Sequence, residues 1–174
     1  MNLVTHHAVK TSNAKLIKPP RHILPRALIT AFAHKHGAPL RSEEKRRTIA
    51  FIREKRLKIL IVDDNLVFRE AMKYLLEKKY GATVHAVASG SEAIEYVANN
   101  EAVNLIFLDI MMPEMNGIET YQKLVDLNAN SSIVMMSAFS ESPQWREAQA
   151  LPVPLLSKPI DEDELLMLVQ NTEV

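Results

Sequence analysis

The sequence predicts an α/β protein in which a doubly wound, parallel sheet follows a basic N-terminal segment. Three observations carry that prediction. From Lys58 onward, apolar runs of strand length alternate with helical patterns, the signature of βαβ units. Two runs close on aspartate: Ile59-Leu60-Ile61-Val62 on Asp63-Asp64, and Val103-Asn104-Leu105-Ile106-Phe107-Leu108 on Asp109. A third, Val153-Pro154-Leu155-Leu156, is followed by Lys158. Charge also divides sharply. Residues 1–58 hold 14 basic and 3 acidic side chains, and residues 59–174 hold 7 basic and 18 acidic, so a net charge of zero covers segments of +11 and −11. Such a split points to two segments with different jobs.

The elements follow in order. The first strand spans about Lys58–Val62. Behind it Phe68, Ala71, Met72, Leu75 and Leu76 recur at helical spacing, which predicts a helix with one buried face, stopped at Gly81. Thr83–Val87 reads as the second strand. Ser91, after the Ser89-Gly90 turn, is the expected N-cap of a helix with Ile94 and Val97 inward. Asn104–Leu108 is the third strand. The loop Met111–Gly117 leads to a helix with Ile118, Tyr121, Leu124 and Val125 inward. Ile133–Ser137 is the fourth strand, with a short helix near Pro143–Ala150. Val153–Leu156 is the fifth, and the last helix begins after Pro159. Its first turn holds Asp161, Glu162, Asp163 and Glu164, which complement the positive end of the helix dipole.

Residues 1–57 read as a basic extension, partly helical or disordered, beside a domain of residues 58–174. Lys18-Pro19-Pro20-Arg21 is expected to be extended. Pro25 opens a short helix through His36, and a second basic helix, capped by Ser42, runs from Glu43 to about Lys55. The histidines at 6, 7, 22, 34 and 36 match no common helical metal pair. The segment admits four roles: a solvated arm, a partner-binding or self-association arm that would make a homodimer, a contact to nucleic-acid phosphates, or a targeting peptide. It could also fold back onto its own acidic domain, above all in low salt.

Composition bounds the rest. Without cysteine there are no disulfides and no thiolate metal sites, which fits a reducing, cytoplasmic setting. No apolar run approaches the roughly 18–20 residues a membrane span needs, so membrane insertion is not expected.

In doubly wound sheets ligands sit at the carboxyl ends of the strands, and Asp63, Asp64, Asp109, Ser137 and Lys158 all fall on that edge. Carboxylates there are costly unless a cation compensates them. Asp63, Asp64 and Asp109 offer the hard oxygen donors that suit Mg²⁺. Aspartate is a competent nucleophile toward phosphorus, and Lys158 and the Ser137 hydroxyl would neutralise phosphoryl oxygens.

Residues 58–171 resemble the receiver domain of bacterial response regulators, the phosphoacceptor half of two-component signalling. The matching residues are Val62-Asp63-Asp64-Asn65, Leu108-Asp109-Ile110-Met111-Met112-Pro113, Asn116-Gly117, Ser137-Ala138 and Lys158-Pro159. Five motifs in this order and at these separations are highly specific. The resemblance implies a flavodoxin-like (βα)₅ fold with strand order 2-1-3-4-5. It implies that Asp109 takes a phosphoryl group from a phosphohistidine on a sensor histidine kinase or a histidine phosphotransfer protein. Asp63, Asp64, Asp109 and the backbone carbonyl of Met111 would hold Mg²⁺. Ser137 would be the switch hydroxyl, Lys158 would pair with the phosphoryl group, and the Lys158–Pro159 bond would be cis. Output would pass through protein contacts.

Two departures from the family pattern matter. Leu155 stands three positions before Lys158, where the family carries an aromatic that moves with the switch hydroxyl. Met111 and Phe139 occupy the positions flanking the attacking water, and two apolar side chains there predict slow loss of phosphate. Three other functions are weighed beside the phosphoacceptor. A DNA-linked regulator would use the basic segment, but no helix-turn-helix with a convincing core appears there. A pseudo-receiver scaffold would keep a silent pocket. An aspartyl-phosphate hydrolase would need an acid two residues after Asp109, where Met111 stands.

Overall fold

The computed structural model describes residues 40–99, 103–127 and 131–170. The stretch at 18–21, the helix expected from Pro25 to His36 and the five N-terminal histidines lie outside the described residues. In chain order come α1 (Ser42–Lys55), β1 (Lys58–Val62) and α2 (Leu66–Tyr74), which continues into a π-helical tail (Leu75–Tyr80). Then follow β2 (Thr83–Val87), α3 (Gly90–Asn99), β3 (Leu105–Asp109), α4 (Gly117–Asp126) and β4 (Ser132–Ser137). The last elements are α5 (Pro143–Ala148), β5 (Leu155–Ser157) and α6 (Glu162–Gln170). The strands form one parallel sheet in the order β2-β1-β3-β4-β5, as the resemblance implies. Among the described residues, no helix is long and apolar enough to cross a membrane.

Helices cover both faces of the sheet, which is why β1, β3 and β4 read as continuous apolar runs. Alternate residues point to opposite faces. Ile59, Ile61, Leu105, Phe107, Val134 and Met136 join the helical side chains Ile52, Met72, Leu76 and Leu166 in one core layer. Leu60, Val62, Ile106, Leu108, Ile133 and Met135 join Ala93, Ile118, Leu124 and Ala148 in the other. The edge strand β5 is only three residues long, which limits pairing with another chain.

Several local expectations need correction. Asp109 is the last residue of β3 rather than the first residue after it. The cap of α3 is Ser89, not Ser91. Ser89 Oγ accepts the Glu92 amide at 3.3 Å, and the Glu92 carboxylate accepts from the Ala88 amide, a reciprocal box that fixes the start two residues earlier. Ser42 lies inside α1, and the Glu44 carboxylate accepts the Arg41 amide at 2.7 Å instead. Ala71 is exposed, and the buried stripe of this helix runs through Met72, Leu76 and Tyr80. Gly81 ends that tail as expected, at a φ of 76° that suits glycine.

Helix α1 is docked. Ile52 and Leu57 are fully buried in the first core layer. Thr48 Oγ1 donates to Gln170 Oε1 at 3.2 Å, and Lys45 Nζ lies 2.5 Å from Asp163 Oδ1. An Arg53 guanidinium nitrogen donates to the Lys79 carbonyl at 3.2 Å. Within the basic segment, Ser42–Lys55 thus forms a helix docked on the core face shared by α2 and α6.

Candidate functional site

The parallel register brings the C-terminal ends of β1, β3 and β5 to one edge. Asp63 follows β1 and is fully buried, and its amide donates to the Val87 carbonyl at 3.2 Å. Asp63 Oδ1 accepts the Asn65 amide at 2.9 Å. The Asp63 carbonyl accepts a guanidinium N–H of Arg69 at 2.5 Å. Asn65 Oδ1 in turn caps α2 by accepting the Phe68 amide at 3.1 Å. Asp64 is exposed beside them.

Asp109 is buried at the end of β3, with Oδ2 accepting the Met111 amide at 3.1 Å. The following loop must fold back tightly. The Gly117 amide donates to the Ile110 carbonyl at 2.9 Å, and a Cβ on Gly117 would sit 2.2 Å from the Asp109 carbonyl oxygen. Only glycine allows that approach. Asn116 caps α4 through its side-chain oxygen, so the Asn116-Gly117 pair shapes the loop that frames Asp109.

Lys158 reaches this cluster across the sheet. Its backbone amide donates to the Ser137 carbonyl at 2.8 Å, and the bond to Pro159 is cis. Its ammonium donates to Asp63 Oδ2 and Asp109 Oδ1, each at 2.5 Å. Carboxylate oxygens of Asp63, Asp64 and Asp109 lie within 4.8 Å of one another. Burial pushes the Asp109 carboxyl up to about 6, against the downward pull of Lys158 and with further upward pushes from Asp63 and Asp64. Carboxylates therefore outnumber the nearby ammonium in a largely buried pocket. Hard oxygen donors with negative charge in excess fit a divalent cation.

Ser137 ends β4 one register step beyond the Asp109–Met136 pair and is fully buried. Among the described residues its hydroxyl has one hydrogen bond, accepting the Phe139 amide at 3.0 Å. Met111 and Phe139 line the same groove beside the pocket, with Phe139 63% exposed. Leu155 begins β5 and packs against the second core layer. Two members of the site were missed by sequence reasoning. Arg69 braces Asp63 from α2, and the Phe68 ring centroid lies 4.2 Å from Lys158 Nζ. In sequence Phe68 is one apolar position of a helix, and Lys158 lies far from it along the chain.

A parallel doubly wound sheet with three carboxylates and a lysine at its carboxyl edge defines an α/β domain built to handle a cation and an anionic group. A family model described as response regulator receiver domain matches residues 59–170, and the chain belongs to that family. It is 31% identical over 116 residues to the chemotaxis protein CheY of Bacillus subtilis, covering 66% of this chain and 96% of that protein. It is 32% identical over 109 residues to the sporulation initiation phosphotransferase F of the same organism, covering 62% and 86%. Histidine kinase 2 of Arabidopsis thaliana is 32% identical over 127 residues, 72% of this chain but 10% of that much longer kinase. Among solved structures, the receiver domain of the Francisella response regulator 1452 superposes with a TM-score of 0.55 at 27% identity, over 65% of this chain and 93% of that one. The receiver domain of the Arabidopsis histidine kinase CKI1, complexed with Mg²⁺ and BeF₃⁻, shares the fold at a TM-score of 0.60 and 20% identity, over 72% and 96%.

Proposed function

We propose that this receiver domain is a phosphoacceptor whose Asp109 takes a phosphoryl group from a phosphohistidine on a sensor histidine kinase or a histidine phosphotransfer protein. The observation that carries this reading is the Lys158 ammonium, 2.5 Å from both Asp63 and Asp109 at the open edge of the sheet. An Asp109 carboxylate oxygen forms a bond to phosphorus, the P–N bond of the phosphohistidine breaks, and the freed imidazole takes up a proton. Asp63, Asp64, Asp109 and the Met111 carbonyl would hold Mg²⁺, which when bound supplies positive charge to the phosphoryl oxygens. Lys158 neutralises another of those oxygens, and Ser137 offers its hydroxyl to a third. Transfer of phosphate from phosphoramidate to the protein, dependent on Mg²⁺ and on Asp109, is the direct test.

On this reading the chain transfers phosphate only to itself and turns over no separate substrate. It acts in the cytoplasm through contacts with a downstream protein. Residues 58–174 carry the receiver, and the basic segment supplies α1, whose Lys45–Asp163 pair supports attraction of that segment to its own acidic domain rather than to nucleic acid. With Leu155 in place of an aromatic, the phosphorylated state is read out by surfaces other than an aromatic swing on β5.

The apolar flanks of the pocket predict a long-lived acyl phosphate. Met111→Asn combined with Phe139→Glu should shorten its half-life roughly tenfold, because one hydrogen bond to the attacking water, worth about 1–1.5 kcal/mol, corresponds to about that change in rate. Decay followed by intact mass after removal of the donor checks this. A parent half-life no longer than that of the double variant would contradict the role of these two residues.

A further inference from the structure

We propose that Phe68 is a positioning residue that holds the Lys158 ammonium over its aromatic face at the mouth of the acidic pocket, an inference that rests on the phosphoacceptor reading of Asp109. The ring centroid stands 4.2 Å from Nζ, well inside the range of about 6 Å over which a ring quadrupole attracts a cation. The backbone that carries the ring is held by the pocket itself. The Phe68 amide is held by Asn65 Oδ1 at 3.1 Å, and the Asn65 amide by Asp63 Oδ1 at 2.9 Å. The next residue, Arg69, is tied to the Asp63 carbonyl at 2.5 Å. Lys158 closes the ring of contacts through Asp63 Oδ2 at 2.5 Å. The Phe68 backbone is therefore tied to Asp63 through Asn65.

This arrangement solves a problem of charge. The same oxygens that bind the ammonium, Asp63 Oδ2 and Asp109 Oδ1, belong to the carboxylates suited to a divalent cation. A cation held there would repel the ammonium and compete for its partners. Lysine has a long flexible stem, so an ammonium displaced from both carboxylates would swing into solvent. The face of Phe68 attracts the ammonium without using either carboxylate. It keeps the positive charge beside Asp109, ready for a phosphoryl oxygen. A leucine would fill the same apolar space but lacks the quadrupole.

Phe68→Leu should slow Asp109 phosphorylation by phosphoramidate three- to tenfold at unchanged Mg²⁺, with a melting temperature close to the parent's. Phe68→Tyr should restore the rate. In a Lys158→Met background, Phe68→Leu should change nothing further. This small donor needs no docking surface, so the effect cannot come from a lost partner contact. A second readout is independent of phosphorylation: ring current from Phe68 should shift the Lys158 ε-methylene protons upfield in the NMR spectrum, and Phe68→Leu should remove that shift. A parent rate in Phe68→Leu, an equal loss in the Lys158→Met background, failure of tyrosine to rescue, or an absent ring-current shift would each overturn the proposal. A parent protein that gains no phosphoryl group at all would instead refute the phosphoacceptor reading beneath it, whatever the Lys158 shift.

Discussion

Incubated with acetyl phosphate or phosphoramidate and Mg²⁺, the parent protein should gain the mass of one phosphoryl group, and Asp109→Asn should gain none. The expectation rests on nucleophilicity. A carboxylate oxygen of Asp109 carries the negative charge that makes it a nucleophile toward phosphorus, and the neutral amide oxygen in the same place is far less nucleophilic. The substitution is nearly isosteric. It also removes a buried charge that the pocket already disfavours, as the carboxyl pushed up to about 6 indicates. The variant should therefore fold at least as stably as the parent, so a missing adduct cannot be ascribed to unfolding. Chelation with EDTA should suppress the adduct in the parent as well, because Asp63, Asp64 and Asp109 would then carry no compensating divalent charge. Lys158→Met should slow the reaction without abolishing it, since the nucleophile remains. An adduct of equal size on Asp109→Asn would sink the assignment of the acceptor and return the chain to the silent-pocket alternative.

Much of this pocket could be read from the sequence because parallel sheets place strand ends together. Once Ile59–Val62, Asn104–Leu108 and Val153–Leu156 are recognised as strands of one doubly wound sheet, Asp63, Asp109 and Lys158 must share an edge. The contacts that refine the pocket were not legible, because they depend on backbone detail. Ser89 displaces Ser91 as a cap through a box with Glu92, a choice between two good candidates that only three-dimensional packing decides. The π-helical tail of α2 has no residue signature, yet it carries Tyr80 into the core. Phe68 and Lys158 lie on separate elements, and nothing local in either predicts their contact. The docking of α1 was hidden by charge. Its buried stripe includes Thr48, which is satisfied by the Glu44 carbonyl and Gln170, and the surrounding Arg and Lys residues give the segment the composition of a solvated arm.

The second large effect concerns that helix. Ile52→Ala should destabilise the protein by about 2–5 kcal/mol, the range for truncating a buried aliphatic side chain whose site cannot fully collapse. Ile52 has no exposed surface, and it shares a core layer with Tyr80, Leu165 and Val169 from α6 and the tail of α2. Polar contacts fix the same junction: Lys79 Nζ and the Tyr80 hydroxyl both donate to Glu162 Oε1, at 2.7 and 2.6 Å. Those two hydrogen bonds hold the Glu162 carboxyl below the usual range. A lowered carboxyl pKa contributes stability that is present above the unfolded value near 4.5 and is lost as pH falls through the lower folded value. Glu162→Gln should therefore weaken the parent at neutral pH and become nearly silent in more acidic solution. The Lys79 pair is partly exposed, so the effect should be modest and should shrink in salt. Urea unfolding of the full chain and of chains beginning after residue 39 or after residue 57 separates the two views of the basic segment. If α1 is part of the folded unit, most of the stability lost on truncation should fall between residues 39 and 57. Equal stability of the two shortened chains, with Ile52→Ala matching the parent, would make α1 a dispensable arm, because a helix that closes the core between α2 and α6 cannot be removed without exposing Tyr80 and Val169 to water.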